Sequence, residues 1–225
     1  ALSALEEARC AVPHRRELPV PPLPDLDCAA SSPALTVSVA SWAQAEALLP
    51  LSPARLCVPL EILAEQTALP AFSGEWCAIL PRVWRDSDEP QLRAWLAHAK
   101  AMGVTAALAG NLGHLPLLRD SGLTVSGDFG LNVFNSRALD YLRRKNLAAA
   151  CLSFELRFPQ MRDMQKVIPA EAIVYGRLPL MITENCLVQN ETGCRLDRQG
   201  PCVPEDGPCR CGQPNVLVDR TGAAF

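Results

Sequence analysis

The sequence predicts an α/β fold of repeating strand–helix units that curl toward an incomplete (β/α) barrel, and three observations carry that expectation. Short apolar runs alternate with amphipathic stretches from Leu35 onward, the pattern of parallel strands joined by crossover helices. The runs are Leu35–Val39, Arg55–Pro59, Trp76–Leu80, Thr105–Ala109, Leu123–Ser126, Ala148–Ser153 and Ala172–Tyr175, and each gap has room for a turn and one short helix. No G-x-G-x-x-G turn follows the first run. An open dinucleotide-binding sheet thereby loses its main support, no nucleotide cofactor is expected, and the barrel-like alternative leads.

Composition sets the outer bounds. The 225 residues are 49% hydrophobic and 20% charged, enough apolar material for a packed core and too little charge for disorder. Lys plus Arg number 21 against 24 Asp plus Glu, so no overall basic field exists to hold a phosphate backbone. No run of 18 apolar residues occurs, and no membrane span is expected. The chain begins Ala1-Leu-Ser-Ala-Leu-Glu-Glu-Ala-Arg9 without the basic, apolar and small-residue order of a secretion signal, and it stops at Phe225 without a terminating element. Both ends suggest a piece of a longer chain, whose remaining domains are its expected partners.

Three domains are expected: an N-terminal helix and Pro-rich linker over 1–34, a (β/α) barrel-like domain over 35–185, and a Cys-rich loop region over 186–225. Leu2, Leu5 and Ala8 mark the short first helix. The proline-dense stretch after Cys10 has no periodicity and reads as a linker or an extended wrap over a surface. Ser41 with Gln44 three residues on is a capping-box pattern, and Pro50 stops the helix it opens. Asp88-Glu-Pro90 opens a helix with Leu92, Trp95, Leu96 and Ala99 on one face, closed by Gly103. Asn135 or Ser136 caps a third helix with Leu139 and Leu142 inward and Arg143, Arg144 and Lys145 in its last turn, where the dipole favours cations.

In barrels of this kind functional groups gather at the carboxyl ends of the strands. The polar residues at those positions are Glu61, Arg82, Asn111, His114, Asp128, Asn132, Asn135, Glu155, Arg177, Glu184 and Asn185. Glu155 is the leading candidate, able to bind a substrate hydroxyl or basic group, or to pair with Arg157 or Arg177. Asp128, Asn132 and Asn135 follow the fifth strand and can line the same pocket, though Asn135 also suits a helix cap. A Ser or Cys nucleophile needs an oriented base, and only His14, His98 and His114 exist. His14 falls in the linker and His98 on an exposed helix face. His114, in Asn111-Leu-Gly-His114, falls at the functional end, where a helix-opening His also serves structure. Neither H-E-x-x-H nor G-x-S-x-G occurs.

The segments Ser126-Gly-Asp-Phe-Gly-Leu-Asn-Val-Phe-Asn-Ser136, Leu152-Ser-Phe-Glu-Leu156 and Glu171-Ala-Ile-Val-Tyr-Gly-Arg-Leu-Pro-Leu-Met-Ile-Thr-Glu-Asn-Cys186 resemble the peptidase U32 (collagenase-like) family in residues, order and spacing. The likeness covers 104–225 and extends more loosely over 35–103. It is to the later segment of longer bacterial members. Of the family signature the chain keeps Glu171, Gly176, Leu178, Cys186 and Val188, and it departs at Ile173, Arg177, Pro179, Glu184 and Gln189. The resemblance implies a TIM-barrel-like fold, a cytoplasmic location, and either collagenase-type proteolysis or the chemistry of members that use a four-iron four-sulfur cluster on four Cys to hydroxylate RNA bases or quinone precursors. In those members the first two cluster ligands would fall at Pro179 and Cys186. The chain therefore lacks one of them.

Ten cysteines are unevenly spread. Cys57, Cys77 and Cys151 sit in apolar runs as small core hydrophobes. Cys186, Cys194, Cys202, Cys209 and Cys211 crowd a loop-like stretch rich in Gly, Pro and Asp, as residues sharing a metal or a disulfide set do. Cys186 with the Cys209-Arg-Cys211 pair, completed by Cys194 or Cys202, can converge on zinc or, less readily, an iron–sulfur cluster; disulfides and free thiols stay open. Glu184 and Asn185 would then lie behind the ligands or line the substrate site. Three functions follow. The chain is a catalytic region with Glu155, Asp128 and Arg177 around a pocket for a peptide or RNA substrate, a non-catalytic binding domain with structural zinc, or a Cys-rich redox or disulfide-stapled module.

Overall fold

Among the described residues, a parallel sheet in sequence order organises residues 36–171. The computed structural model describes residues 2–12, 17–25, 32–179 and 182. The chain divides into two compact units, Ala1–Val174 and Tyr175–Phe225. In the first, strands β1 (Thr36–Ser38), β2 (Arg55–Pro59), β3 (Glu75–Ile79), β4 (Ala106–Ala109), β5 (Thr124–Gly127), β6 (Ala149–Cys151) and β7 (Ala170–Glu171) pair in the order 1-2-3-4-5-6-7, every pair parallel. Among the described residues β7 does not pair with β1. The sheet is a curled half-barrel. Its curl is visible in Arg55 on β2, whose Nη1 reaches Glu171 Oε1 on β7 at 3.0 Å.

Side chains alternate along each strand, and that alternation builds two layers. Leu56 and Val58, Trp76 and Ala78, and Ala107 and Ala109 face outward onto the helices. They pack against Leu60 and Leu63 of α3 (Leu60–Ala64), Leu92, Leu96 and Ala99 of α4 (Glu89–Ala101), and Leu117 and Leu118 of α5 (His114–Arg119). Full burial of each Leu contributes on the order of 2 kcal/mol, so this layer is the main source of stability. The alternate residues, Cys57, Cys77, Ala106 and Leu108, form a separate buried cluster on the concave face. Cys57, Cys77 and Ala106 stand side by side in register, where the tight curvature suits small side chains. The neighbouring Cys57 side chain, with burial, pushes the Cys77 thiol well above the ordinary thiol range.

The helices begin where their capping residues direct. Ser41 Oγ accepts from Gln44 N at 3.3 Å while Gln44 Oε1 accepts from Ala40 N at 2.8 Å, opening α2 (Trp42–Leu48). α4 starts at Glu89-Pro90 and buries Leu92, Leu96 and Ala99; Gly103 follows it with φ +107, a conformation that favours glycine. Asn135 Oδ1 accepts from Ala138 N at 2.9 Å and caps α6 (Ser136–Arg144). Arg143 and Arg144 do more than face solvent. They grip the nearly buried Asp140 at 2.9 Å and 3.2 Å, satisfying a carboxylate that α6 carries into the core. The first helix α1 (Leu2–Cys10) buries none of its residues.

The last strand departs from its expected place. Ile173-Val-Tyr has strong strand propensity, yet Val174 and Tyr175 are exposed and the strand is Ala170–Glu171, paired to Ala150 and Cys151. The observed register brings Glu171 within 3.0 Å of Arg55, a contact that favours it over the propensity of the residues that follow. Of the Pro-rich stretch, residues 17–25 lie as a wrap: Arg137 Nη1 donates to Pro21 O, and Gln165 Nε2 donates to Pro24 O at 3.0 Å. No helix among the described residues is long and apolar enough to cross a membrane.

Candidate functional site at the carboxyl mouth

The loops after β3, β4, β5 and β6 meet at the carboxyl end of the half-barrel. After β3, the Arg82 guanidinium carbon lies 4.8 Å from the centre of the Phe129 ring, a cation–π stack. Asn111, after β4, donates from Nδ2 to Arg82 O at 3.1 Å and accepts Gly113 N on Oδ1 at 2.6 Å, fixing the Arg82 backbone. After β5, Asp128 Oδ1 accepts Phe129 N at 2.8 Å and caps a 3-10 turn over Phe129–Leu131. After β6, the Phe154 ring meets Phe129 edge-on with centroids 6.1 Å apart. Close approach of two loops makes the arrangement possible: a Cβ on Gly130 would stand 2.4 Å from Gly110 O.

Charge in and above the concave face is concentrated in few groups. Arg55 Nε contacts Glu75 Oε2 at 2.7 Å and its Nη1 contacts Glu171 Oε1 at 3.0 Å, with Ser126 Oγ at 3.4 Å. Burial pushes the Glu171 carboxyl up; Arg55 opposes the shift, and Asp128 and Glu75 add to it. Asp128 is likewise raised by burial, against the Phe129 N–H and the Arg82 charge. Burial, reinforced by Asp128 and Glu171, pushes the Cys151 thiol up to about 12. It stays a neutral thiol and is no nucleophile.

The expected site residues are dispersed. Asp128 is half-buried at the mouth. Glu155 is exposed on the following turn, its N donating to Ser153 Oγ at 3.4 Å. Asn132 is exposed with φ +50, a left-handed position Asn tolerates, and the Asn135 side chain caps α6. His114 is fully buried beside Trp84, its ring 6.1 Å from the indole. Its Nδ1 accepts Gly110 N at 3.1 Å, and Nε2 has no hydrogen-bond partner among the described residues. Burial lowers its pKa, with the Pro81 backbone partly offsetting the shift; because Nδ1 accepts the Gly110 N–H, the proton of the neutral ring sits on Nε2. Arg177 is exposed in the second unit. Glu184, Asn185, Cys186, Cys194, Cys202, Cys209 and Cys211 lie outside the described residues. Among the described residues no three His, Cys, Asp or Glu are placed to hold a metal ion.

Arg55, Glu75 and the Phe129–Phe154 pair escaped sequence reasoning as site features. A signal existed for the first two: each puts a charge at the start of an apolar run, at equivalent strand positions, and they are register partners. A groove between α4 and α5, bordered by Arg93, Lys100 and Asp120, lies on the helical outside. There Lys100 Nζ is bound to Ser121 O at 2.6 Å.

A search of curated proteins finds no match. Among solved structures the chain is similar to MenC from Desulfotalea psychrophila LSv54, at 15% identity and a TM-score of 0.37, over 62% of this chain and 46% of that one. The chain thus spans less than half of that protein, and the likeness carries no argument about site or activity. The family profile for Peptidase family U32 matches residues 75–212, from β3 through the carboxyl mouth and on into the second unit. On that match the chain belongs to peptidase family U32.

Proposed function

We propose that residues 35–174 serve as the substrate-binding and catalytic half-barrel of a collagenase-like peptidase, with Asp128 as its acid–base group. The observation that supports this most is Asp128 itself, a half-buried carboxyl at the end of β5, raised above the ordinary aspartate value by burial, beside an aromatic pair that can hold a peptide chain. A carboxyl so placed can act in both directions of proton transfer. It takes a proton from water as the water oxygen bonds to the scissile carbonyl carbon, and returns it to the amide nitrogen as the C–N bond breaks. The surroundings favour a peptide over RNA: Arg82 is accompanied at the mouth by the acidic Asp128 and Glu155, and a phosphate polymer needs several clustered cations.

Asp128→Asn in the full chain is the test. Turnover of a quenched collagen-type peptide is expected to fall by about 10²–10⁴-fold with KM and thermal melting little changed. The wild-type rate should rise with pH through a pKa above the ordinary aspartate value. Full activity in the variant would overturn the assignment.

One observation favours a second, non-catalytic reading. Both described histidines are committed to the backbone, His98 Nε2 to Gln66 O at 2.7 Å and His114 Nδ1 to Gly110 N, so neither activates a Ser or Cys among the described residues. The domain would then bind peptide without turnover, and Cys186, Cys194 or Cys202, Cys209 and Cys211 would hold structural zinc. The four-Cys cluster of the hydroxylating members does not fit as such, because Pro179 has no donor atom at the first ligand position. Metal analysis separates the cases: about one zinc per chain, lost in Cys186→Ala, is expected for a closed thiolate site. Iron with thiolate-cluster absorption would overturn the zinc assignment.

A further inference from the structure

We propose that Arg82 is a carboxylate-binding subsite, so that the ligand of this mouth is a peptide presenting a free carboxylate. The inference rests on the peptide-directed reading above and adds the chemical group by which the ligand is held. The face of the guanidinium is occupied by Phe129, leaving its edge, with its fork of N–H donors, for a ligand. No carboxylate among the described residues lies within salt-bridge distance of it, whereas Arg55, Arg93, Arg143, Arg144 and Arg162 each hold one at 3.2 Å or less.

The side chain is also held in place, so little ordering is needed when a ligand arrives. Asn111 anchors its backbone. Gly110 and Gly130 bring two loops against it, the position of a Gly130 Cβ lying 3.3 Å from Nη2 and 3.4 Å from Nε. Asp128 feels the Arg82 charge without forming an ion pair with it. Anion subsite and acid–base group are thus two different side chains, as a substrate anchored at one end and cleaved beyond it requires. A lone fork of this kind matches one planar carboxylate. Successive phosphates would meet the neighbouring carboxylates instead.

Isothermal titration of the full chain with three acetylated collagen-type hexapeptides tests the proposal: one with a free C-terminal carboxylate, its C-terminal amide, and the amide carrying a phosphoserine at its last residue. The free acid is expected to bind about 10–100-fold more tightly than the amide. Arg82→Met should abolish that difference, and Arg82→Lys, which keeps charge and loses the fork, should retain only a few-fold preference. Equal binding of acid and amide by the wild-type chain, or preference for the phosphopeptide, would overturn the carboxylate subsite and leave the peptide reading in place. Failure of all three to bind would overturn both. The wild-type comparison needs no variant, so it stands even where a substitution disturbs folding.

Discussion

Arg55→Met is expected to destabilise the half-barrel by on the order of 3 kcal/mol near neutral pH, and by much less in acid. Arg55 spans the concave face, from Glu75 on β3 to Glu171 on β7. Its side chain is only 16% exposed and both partners 30%. Removing the cation leaves two largely buried carboxylates facing one another without a counter-charge. The pH dependence follows from Glu171. Burial raises its pKa in the folded chain, so the folded state holds that proton more tightly than the unfolded state. Stability therefore falls as pH rises from the unfolded value through the folded one, and is level above it. Arg55 opposes the shift. Without it the folded pKa climbs further and the loss with rising pH deepens, so the gap between variant and wild type opens as Glu171 ionises. Urea melts at about pH 4, near the ordinary glutamate value, and at about pH 7 measure it. An equal deficit at both would mean that Arg55 acts through the packing of its stem and not through its charge.

That network also marks where sequence reasoning stops. Strands such as Leu56–Val58 and Trp76–Ala78 were legible because both faces of the sheet are buried there, leaving apolar runs bounded by turn residues. α2, α4 and α6 were legible from Ser41, Pro90 and Asn135, whose capping roles are local. α3, α5 and α7 (Phe158–Asp163) are five or six residues long, under two turns, and leave no periodicity to read. Arg55 and Glu171 stand 116 residues apart, and no window along the chain reports that the curl of the sheet brings them together. The seventh strand was misplaced for the same reason: its position depends on that pairing, not on the propensity of Ile173-Val-Tyr. At the mouth, Asp128 and Arg82 were both identifiable as strand-end polar residues. Which of them meet is decided by the loops, and the Phe129 stack is a property of their approach and not of spacing.

Gly130→Ala is expected to lower the melting temperature by about 4–8 °C, as a cost of about 2 kcal/mol does in a chain of this size, and to erase the preference for a free carboxylate. Gly130 does not adopt a positive φ, so backbone strain is not the cause. The added methyl would stand 2.4 Å from Gly110 O, a main-chain atom that cannot swing aside, and Ala109 next to it is held by Asp128 N at 3.0 Å. The loops after β4 and β5 must therefore part. Arg82, packed against the same point, loses the geometry that presents its edge to a ligand. Because both substitutions act through one group, Gly130→Ala combined with Arg82→Met should discriminate no worse than either alone. Thermal melts and the acid-against-amide titration measure the two consequences separately. A Gly130→Ala chain that melts lower yet keeps the full preference would show that Arg82 follows Phe129 when the loops separate, placing the cation–π stack, rather than the glycine contact, in control of the subsite.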